Sequence, residues 1–266
     1  MIPAVLCVAL LIGCKNAESP QEATITVEQR RASINAAMEY LDAGRFTEAL
    51  AIMNVLVSKD PSGAETQESF GLVLLACATD ARQNGDIQEA KKYQTRALEA
   101  YKDACETSTN PGLLQLSTAQ LAHMQDDDQT ALHFYKLAHN SNSQDARAAF
   151  FIAQIKMLNK NWKEAKTWID ESIQRDSIEP HALLSSALIE AELGNADLAI
   201  ALAKKGCAIQ PNDPNLRFIQ ARVLRISGQP THAIDILSAL PADLQASDIV
   251  RNEKKMCEEA LQAKAP

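Results

Sequence analysis

The sequence predicts an all-α chain built as a solenoid of helix–turn–helix repeats. The main observation is a pair of alanines, twelve residues apart, that recurs six times. Successive pairs are separated by 41, 41, 34, 34 and 34 residues, and a period of ~34 with small residues in register is typical of paired-helix repeats. Small side chains let two helices cross closely, and abundant Ala and Leu with sparse Gly favours helix. The pairs are Ala37 and Ala49, Ala78 and Ala90, Ala119 and Ala131, Ala153 and Ala165, Ala187 and Ala199, and Ala221 and Ala233.

The N-terminal segment differs from the rest of the chain. Residues 1–13 carry no charged side chain and are almost wholly apolar. They are too few to span a bilayer as a helix, which needs ~20 residues, so they are typical of an export signal. Leu11-Ile12-Gly13-Cys14 resembles the lipobox of bacterial lipoproteins, in which a signal peptidase cuts before a cysteine that becomes lipidated. The resemblance implies a signal over 1–14, lipidation at Cys14 and a place in the bacterial cell envelope.

One feature departs from that pattern, because no Lys or Arg precedes the apolar run. A misassigned start codon would account for it, and an apolar tail with a chance cysteine is the alternative. Residues 15–25 are polar, are broken at Ser19-Pro20 and are expected to form a tether. Extended, they reach at most ~36 Å. Lys15 stands where inner-membrane lipoproteins have Asp, so the resemblance favours the periplasmic face of an outer membrane.

The repeat array is expected over residues 26–242, with repeats at about 30–63, 71–104, 112–145, 146–179, 180–213 and 214–242. Thr26 and Gln29 can form a capping box for the first helix. Asn110-Pro111 and Asp213-Pro214 each pair an N-cap residue with a proline at the first helical position. Five residues before each later alanine, four of six turns carry glycine, as a positive φ requires. These turn residues are Gly44, Gly85, Asp126, Lys160, Gly194 and Gly228.

Two stretches at the turn and second helix, residues 45–50 (RFTEAL) and 161–166 (NWKEAK), resemble the tetratricopeptide repeat family. The resemblance implies a right-handed superhelix of six repeats whose first helices line a groove that binds a protein or peptide. Trp162 takes the aromatic turn position of the family. Trp168 is expected to pack between repeats, with a surface anchor for a partner as the alternative.

Both 41-residue steps hold seven extra residues, which is nearly two helical turns. A longer helix would keep its buried face in phase, and a short loop near Thr107 is the alternative. After Pro241, residues 243–266 form a charged amphipathic segment that suits a capping helix and tail.

Large apolar residues stand fifteen positions before each later alanine, on the side that the family turns to its groove. With nearby polar and cationic residues, they predict a channel for an extended or helical peptide with apolar side chains. The alternative is that this column packs between first helices. The predicted groove residues are Leu75, Leu116, His123, Phe150, Met157, Leu184, Leu188, Phe218, Arg222 and Arg225. The Lys and Asn of the family's carboxylate clamp have no counterparts here, so a co-chaperone of that type is disfavoured.

Composition argues against several function classes. The net charge is −8 and no basic stripe stands out, so nucleic acid is not an expected partner. The sequence has no zinc-type Cys/His spacing, no glycine-rich phosphate loop and no GxSxG motif, so no metal, cofactor or catalytic site is expected. The remaining cysteines are expected to be small buried apolar residues, and Cys77 with Cys105 is the pair to consider if a disulfide forms.

These observations predict a non-catalytic scaffold or adaptor. It would be anchored at the membrane through Cys14 and would hold a peptide or protein partner in assembly or secretion at the envelope. The alternative is a cytoplasmic tetratricopeptide-type regulatory protein whose N-terminus is misread. An enzyme on a repeat scaffold has no supporting motif in this sequence.

Overall fold

The computed structural model describes residues 25–142, 145–176 and 179–263, and every regular element in these ranges is an α-helix. The predicted signal and Cys14 lie outside the described residues. The helices are α1 (Val27–Asp42), α2 (Phe46–Lys59), α3 (Ala64–Gln83), α4 (Ile87–Thr107), α5 (Gly112–Met124), α6 (Asp128–Ser141), α7 (Ala146–Leu158), α8 (Trp162–Arg175), α9 (Pro180–Glu192), α10 (Ala196–Ile209), α11 (Pro214–Ile226), α12 (Pro230–Ser238), α13 (Ala242–Gln245) and α14 (Asp248–Gln262).

The helices from α1 to α12 pair into consecutive hairpins, each a first helix followed by a second helix, and each hairpin packs on the next. All twelve repeat alanines are buried, and none is more than 3% exposed. The prediction that these small residues lie inside the stack is therefore confirmed. The right-handed path and the count of six tetratricopeptide-type repeats stay predictions.

The turns inside the hairpins share one geometry. Gly44, Gly85, Gly194 and Gly228 have φ between +71° and +87°, and Asp126 and Lys160 reach +59° and +56°. In each turn the next backbone N–H donates to a carbonyl five residues earlier, for example Arg45 N to Tyr40 O at 2.8 Å. The predicted positive φ is thus confirmed at all six positions, including the two that lack glycine.

Both seven-residue additions are helical, so the longer-helix alternative is correct and the loop alternative is wrong. Helices α3 and α4 have 20 and 21 residues, whereas the helices from α5 to α10 have 13 or 14. The added turns lie before Ala78 in α3 and after Ala90 in α4, so they extend the same end of one hairpin. Gly71 lies directly against the buried ring of Tyr101 there, and a Cβ on Gly71 would come within 2.4 Å of Tyr101 Cε1.

Two of the three helix caps predicted from the sequence are present in the structure. The capping box of Thr26 and Gln29 is present, and the Asp213 carboxylate accepts from the first turn of α11. The expectation for Asn110 is wrong, because α5 begins one residue later, at Gly112, with Pro111 at the cap position.

Helix α14 packs against α11 and α12 and covers the C-terminal end of the hairpin stack. Val250, Glu253 and Cys257 form its buried face. Burial raises the pKa of the Cys257 thiol to about 11. This thiol therefore stays protonated and apolar near neutral pH.

Cys77, Cys105, Cys207 and Cys257 are free thiols. Three are buried, as expected of small apolar residues, and Cys105 is half-buried. Cys77 and Cys105 do not form a disulfide. No helix among residues 25–142, 145–176 and 179–263 combines the length and apolar character needed to cross a bilayer.

Candidate functional site

A groove of about 420 Å³ opens between the first helices α3 and α5. Helix α4 packs against both of these helices, and its residues Gln94 and Tyr101 form the floor. The lining residues are Leu75, Ala78, Thr79, Arg82, Gln94, Tyr101, Ser117, Gln120, Leu121 and Met124.

The groove combines apolar surface with neutral hydrogen-bonding groups. Leu75 and Met124 offer apolar contact, and the Met124 side chain is 68% exposed. Gln120 can donate and accept hydrogen bonds along the rim. The hydroxyls of Thr79 and Ser117 donate to Leu75 O and Leu113 O of their own helices and can accept from a ligand. Arg82 carries the one charge among the lining residues. Apolar surface with a few placed polar groups is the usual composition of a site that binds a peptide or small ligand.

Seven of the ten predicted groove residues keep part of their surface exposed, four of them on α3, α5 and α7 and three on α11. Leu75 lines the α3–α5 groove, and His123 lies on α5 with Nδ1 3.2 Å from Asp128 Oδ1. Phe150 and Met157 of α7 are half-buried. The ring of Phe150 makes an edge contact with Phe151, with 5.4 Å between centroids. The accessible part of the predicted set is therefore not confined to one end of the array, since it includes side chains on α3, α5, α7 and α11.

Three apolar members of the predicted set are buried. Leu116 is 4% exposed, Leu184 is 0% exposed and Leu188 is 8% exposed. Helix α9 packs against α7, α8, α10 and α11, so its apolar side chains meet other helices on almost every side. A Cβ on Gly206 of α10 would come within 2.3 Å of Leu184 Cδ1, which shows how closely α10 approaches. At these positions the side chains pack between helices, as the packing alternative expects.

The two predicted groove arginines meet α14. The Arg225 Nε donates to Glu253 Oε1 at 2.5 Å, and Arg222 Nε lies 3.7 Å from Glu253 Oε2. The Glu253 side chain is only 3% exposed. Phe218 packs beside the cluster that Leu237, Val250 and Cys257 help to form. This part of the first-helix side is thus engaged with the chain's own C-terminal helix.

Two exposed apolar side chains at the ends of first helices are not among the groove residues predicted from the sequence. Met124 ends α5 and Leu158 ends α7, and they are 68% and 70% exposed. The same helix-end position holds the polar residues Asp42, Gln83 and Glu192 in α1, α3 and α9, and the half-buried Ile226 in α11. Single exposed apolar side chains are common on protein surfaces, so Met124 is informative chiefly because it lines the α3–α5 groove.

The described residues contain no group of three or more His, Cys, Asp or Glu side chains placed to hold a metal ion. The pKa shift of Tyr101, which lines the groove, has a structural cause. Burial raises the pKa of the Tyr101 hydroxyl to about 12, with a further rise from the nearby Glu68 carboxylate. The hydroxyl therefore remains a neutral donor near pH 7.

The sequence matches no family model and no curated protein. The fold is similar to that of a tetratricopeptide repeat protein from Parabacteroides merdae, at 17% identity, a TM-score of 0.63, and coverage of 90% of this chain and 94% of that chain. Pseudomonas aeruginosa pilF is similar at 15% identity and a TM-score of 0.60, over 90% of this chain and 98% of that chain. YrrB, described as a TPR protein with an unusual peptide-binding site, is similar at 18% identity and a TM-score of 0.57, over 74% and 91%. The helical hairpins, their shared turns and these likenesses show that the chain has the tetratricopeptide repeat fold.

Proposed function

We propose that this chain is a non-catalytic scaffold that holds an apolar peptide segment of a partner protein in the α3–α5 groove. The proposal depends chiefly on one observation, the open apolar groove with Met124 at its edge. The tetratricopeptide fold is one of protein–protein interaction scaffolds, and one structural neighbour carries a peptide-binding site in its description. The single charge of Arg82 favours a segment with an acidic or carboxylate group next to its apolar anchor.

We also propose that lipid on Cys14 holds the scaffold at the bacterial envelope, with the outer-membrane periplasmic face favoured. The support is the sequence Leu11-Ile12-Gly13-Cys14 behind an apolar run. A single acyl chain binds a membrane only marginally, so lasting attachment needs more than one. The partner would then belong to assembly or secretion at that surface.

The groove is tested by photo-crosslinking in membranes that contain the full chain. A photoreactive amino acid in place of Met124 should capture a discrete partner, and one in place of Leu198 on α10 should not. Leu198 is a matched control, because it is an apolar side chain, 48% exposed, on a second helix. In binding assays with the captured partner, Met124→Asp should weaken affinity at least about tenfold, because it replaces an apolar contact with a hydrated carboxylate. Equal capture at both positions would contradict the groove assignment.

The anchor is tested separately by labelling cells with radioactive fatty acid. The full chain should incorporate label, and Cys14→Ser should not. Absence of label in the unmodified chain would remove the anchor and favour the alternative, a cytoplasmic regulatory protein with a misread N-terminus. That result would leave the groove assignment intact, because the two tests share no residue.

A further inference from the structure

A second apolar cleft lies at the N-terminal end of the stack, on the faces of α1 and α2. Its volume is about 1050 Å³, more than twice that of the α3–α5 groove. Ile52, Val55 and Leu56 of α2 face Ala32 and Ser33 of α1 across it. Val55 is 56% exposed. Helix α3 packs against α1 and α2 but supplies none of the lining residues, so the cleft lies on the opposite side of this hairpin.

The residues of this face occupy the same repeat positions as residues that are buried between hairpins elsewhere in the array. Ala32 lies five residues before the repeat alanine Ala37 and is exposed. In the later first helices the residue at the same position is at most 7% exposed. These equivalent residues are Val73, Leu114, Ala148, Ala182 and Leu216. A hairpin inside the array thus covers this position, and α1 alone among these first helices leaves it open.

The second helices give the same result by direct contact. Trp168, three residues after Ala165, makes an edge contact with His139 of the preceding second helix α6, with 5.2 Å between ring centroids. Arg96, six residues after Ala90, donates to Asn54 Oδ1 of the preceding second helix α2 at 3.2 Å. In α2 these two positions are Ile52 and Val55. Both therefore occupy positions that elsewhere meet a neighbouring hairpin.

The two ends of the stack are not alike. Helix α14 covers the C-terminal end, where Arg225 and Glu253 pair across it. Such an end does not offer a matching surface for the open α1–α2 face, so head-to-tail growth of copies is disfavoured. A second copy can instead present its own α1–α2 face, and a twofold arrangement closes after two chains. We propose that the α1–α2 face is a dimer interface between two copies of this chain.

The composition and size of the face fit a weak dimer. Lys59 is the one charge among its lining residues, so two copies can meet without burying carboxylates from the cleft. A hairpin of 14 to 16 residues per helix is roughly 21–24 Å long and about 20 Å wide. Two such faces bury about 900 Å² in total, which is in the range of weak or transient association. A membrane anchor would raise the local concentration of the copies, although the interface itself does not depend on Cys14.

The test is cysteine cross-linking of the full chain in cells, read as dimer on electrophoresis without reductant. Val55→Cys should give at least about tenfold more cross-linked dimer than Leu198→Cys, which places a thiol of similar exposure on α10. The native cysteines are common to both variants and set the background, and among the described residues three are buried and Cys105 is half-buried. Adding Ala51→Glu to Val55→Cys should abolish the excess, because each interface would then hold two unpaired carboxylates.

Three outcomes would overturn the dimer. Equal yields at positions 55 and 198 would indicate random collision. A cross-link from position 55 to a different protein would assign the face to another partner. Labelling of Val55→Cys by a maleimide only after residues 1–24 are removed would show that the preceding segment of the same chain covers it. Circular dichroism of each variant checks that the helices persist, because Val55 and Ala51 are exposed positions.

Discussion

Lys160 and Asp126 hold the backbone conformation that glycine holds in the other four turns. A residue with a Cβ destabilises the folded state by roughly 1–2 kcal/mol when it adopts the left-handed conformation. Glycine avoids this cost, but it loses more conformational entropy on folding, so the net advantage of glycine is smaller. The other hydrogen bonds of the turn remain the same, as Asn161 N still donates to Lys156 O at 2.9 Å. Backbone strain is therefore local at these two turns.

We predict that Lys160→Gly raises the free energy of unfolding by about 0.5–1 kcal/mol. The reverse change, Gly194→Ala, should lower the free energy of unfolding by about 1 kcal/mol, because Gly194 has φ +87°. No atom lies within 4 Å of an added Cβ, so this loss would come from the backbone conformation and not from a clash. Urea titration monitored by circular dichroism measures both. Destabilisation by Lys160→Gly would show that the lysine side chain makes a compensating contact.

At the scale of the helices, the sequence predicted most elements correctly because local constraints determine where helices begin, turn and cross. The repeat alanines marked the crossings, the glycines marked the turns, and Thr26 with Gln29 marked the start of α1. Helices α3 and α4 can each be seven residues longer because seven residues are nearly two full turns, so the apolar side chains stay on the buried face. The choice between helix and loop for those residues depended on packing between α3 and α4, which spacing alone does not encode.

The long hairpin gives a prediction of its own at Gly71. Gly71→Ala should destabilise the chain by about 1–3 kcal/mol, because the new methyl group would overlap the Tyr101 ring. In a Tyr101→Leu background, the same change should cost less, since the planar ring no longer fills the contact. A double-mutant cycle by chemical denaturation measures this coupling. Additive effects of the two substitutions would contradict the contact as the cause.

At the scale of the whole molecule, the sequence could not say which first helices remain open. Leu75 and Leu184 occupy equivalent positions, yet Leu75 lines a groove and Leu184 is completely buried. The difference arises because α9 packs directly against α11, whereas a groove opens between α3 and α5. Distances between non-adjacent helices depend on many side chains at once, so periodicity predicts the array and leaves its openings undetermined.

The C-terminal helix is predicted to be held by one buried carboxylate. Arg225→Ala would leave Glu253 largely without its closest partner, and breaking a fully buried pair costs about 3–5 kcal/mol. Arg225 keeps 19% of its side chain exposed, so we expect a smaller loss of about 2 kcal/mol. Amide hydrogen exchange should accelerate in α14 and much less in α1 and α2.

The matched control is Arg251→Ala, which removes an exposed pair with Asp248 on the same helix. Exposed pairs contribute little, so this variant should exchange like the unmodified chain. Equal acceleration in both variants would show that the helix is loose for another reason. Unchanged exchange in Arg225→Ala would show that Val250 and Cys257 suffice to hold it.

The paired lengthening of α3 and α4 suggests how such a protein can acquire length in evolution. Seven inserted residues turn a helix through about 700°, which leaves its apolar side only about 20° from where it began. Five would turn it by about 140° from its original direction and expose that side to water. Insertions should therefore survive when their length returns the apolar side close to its original direction, as seven residues do. Both helices of a hairpin should lengthen together, while the other hairpins keep their length.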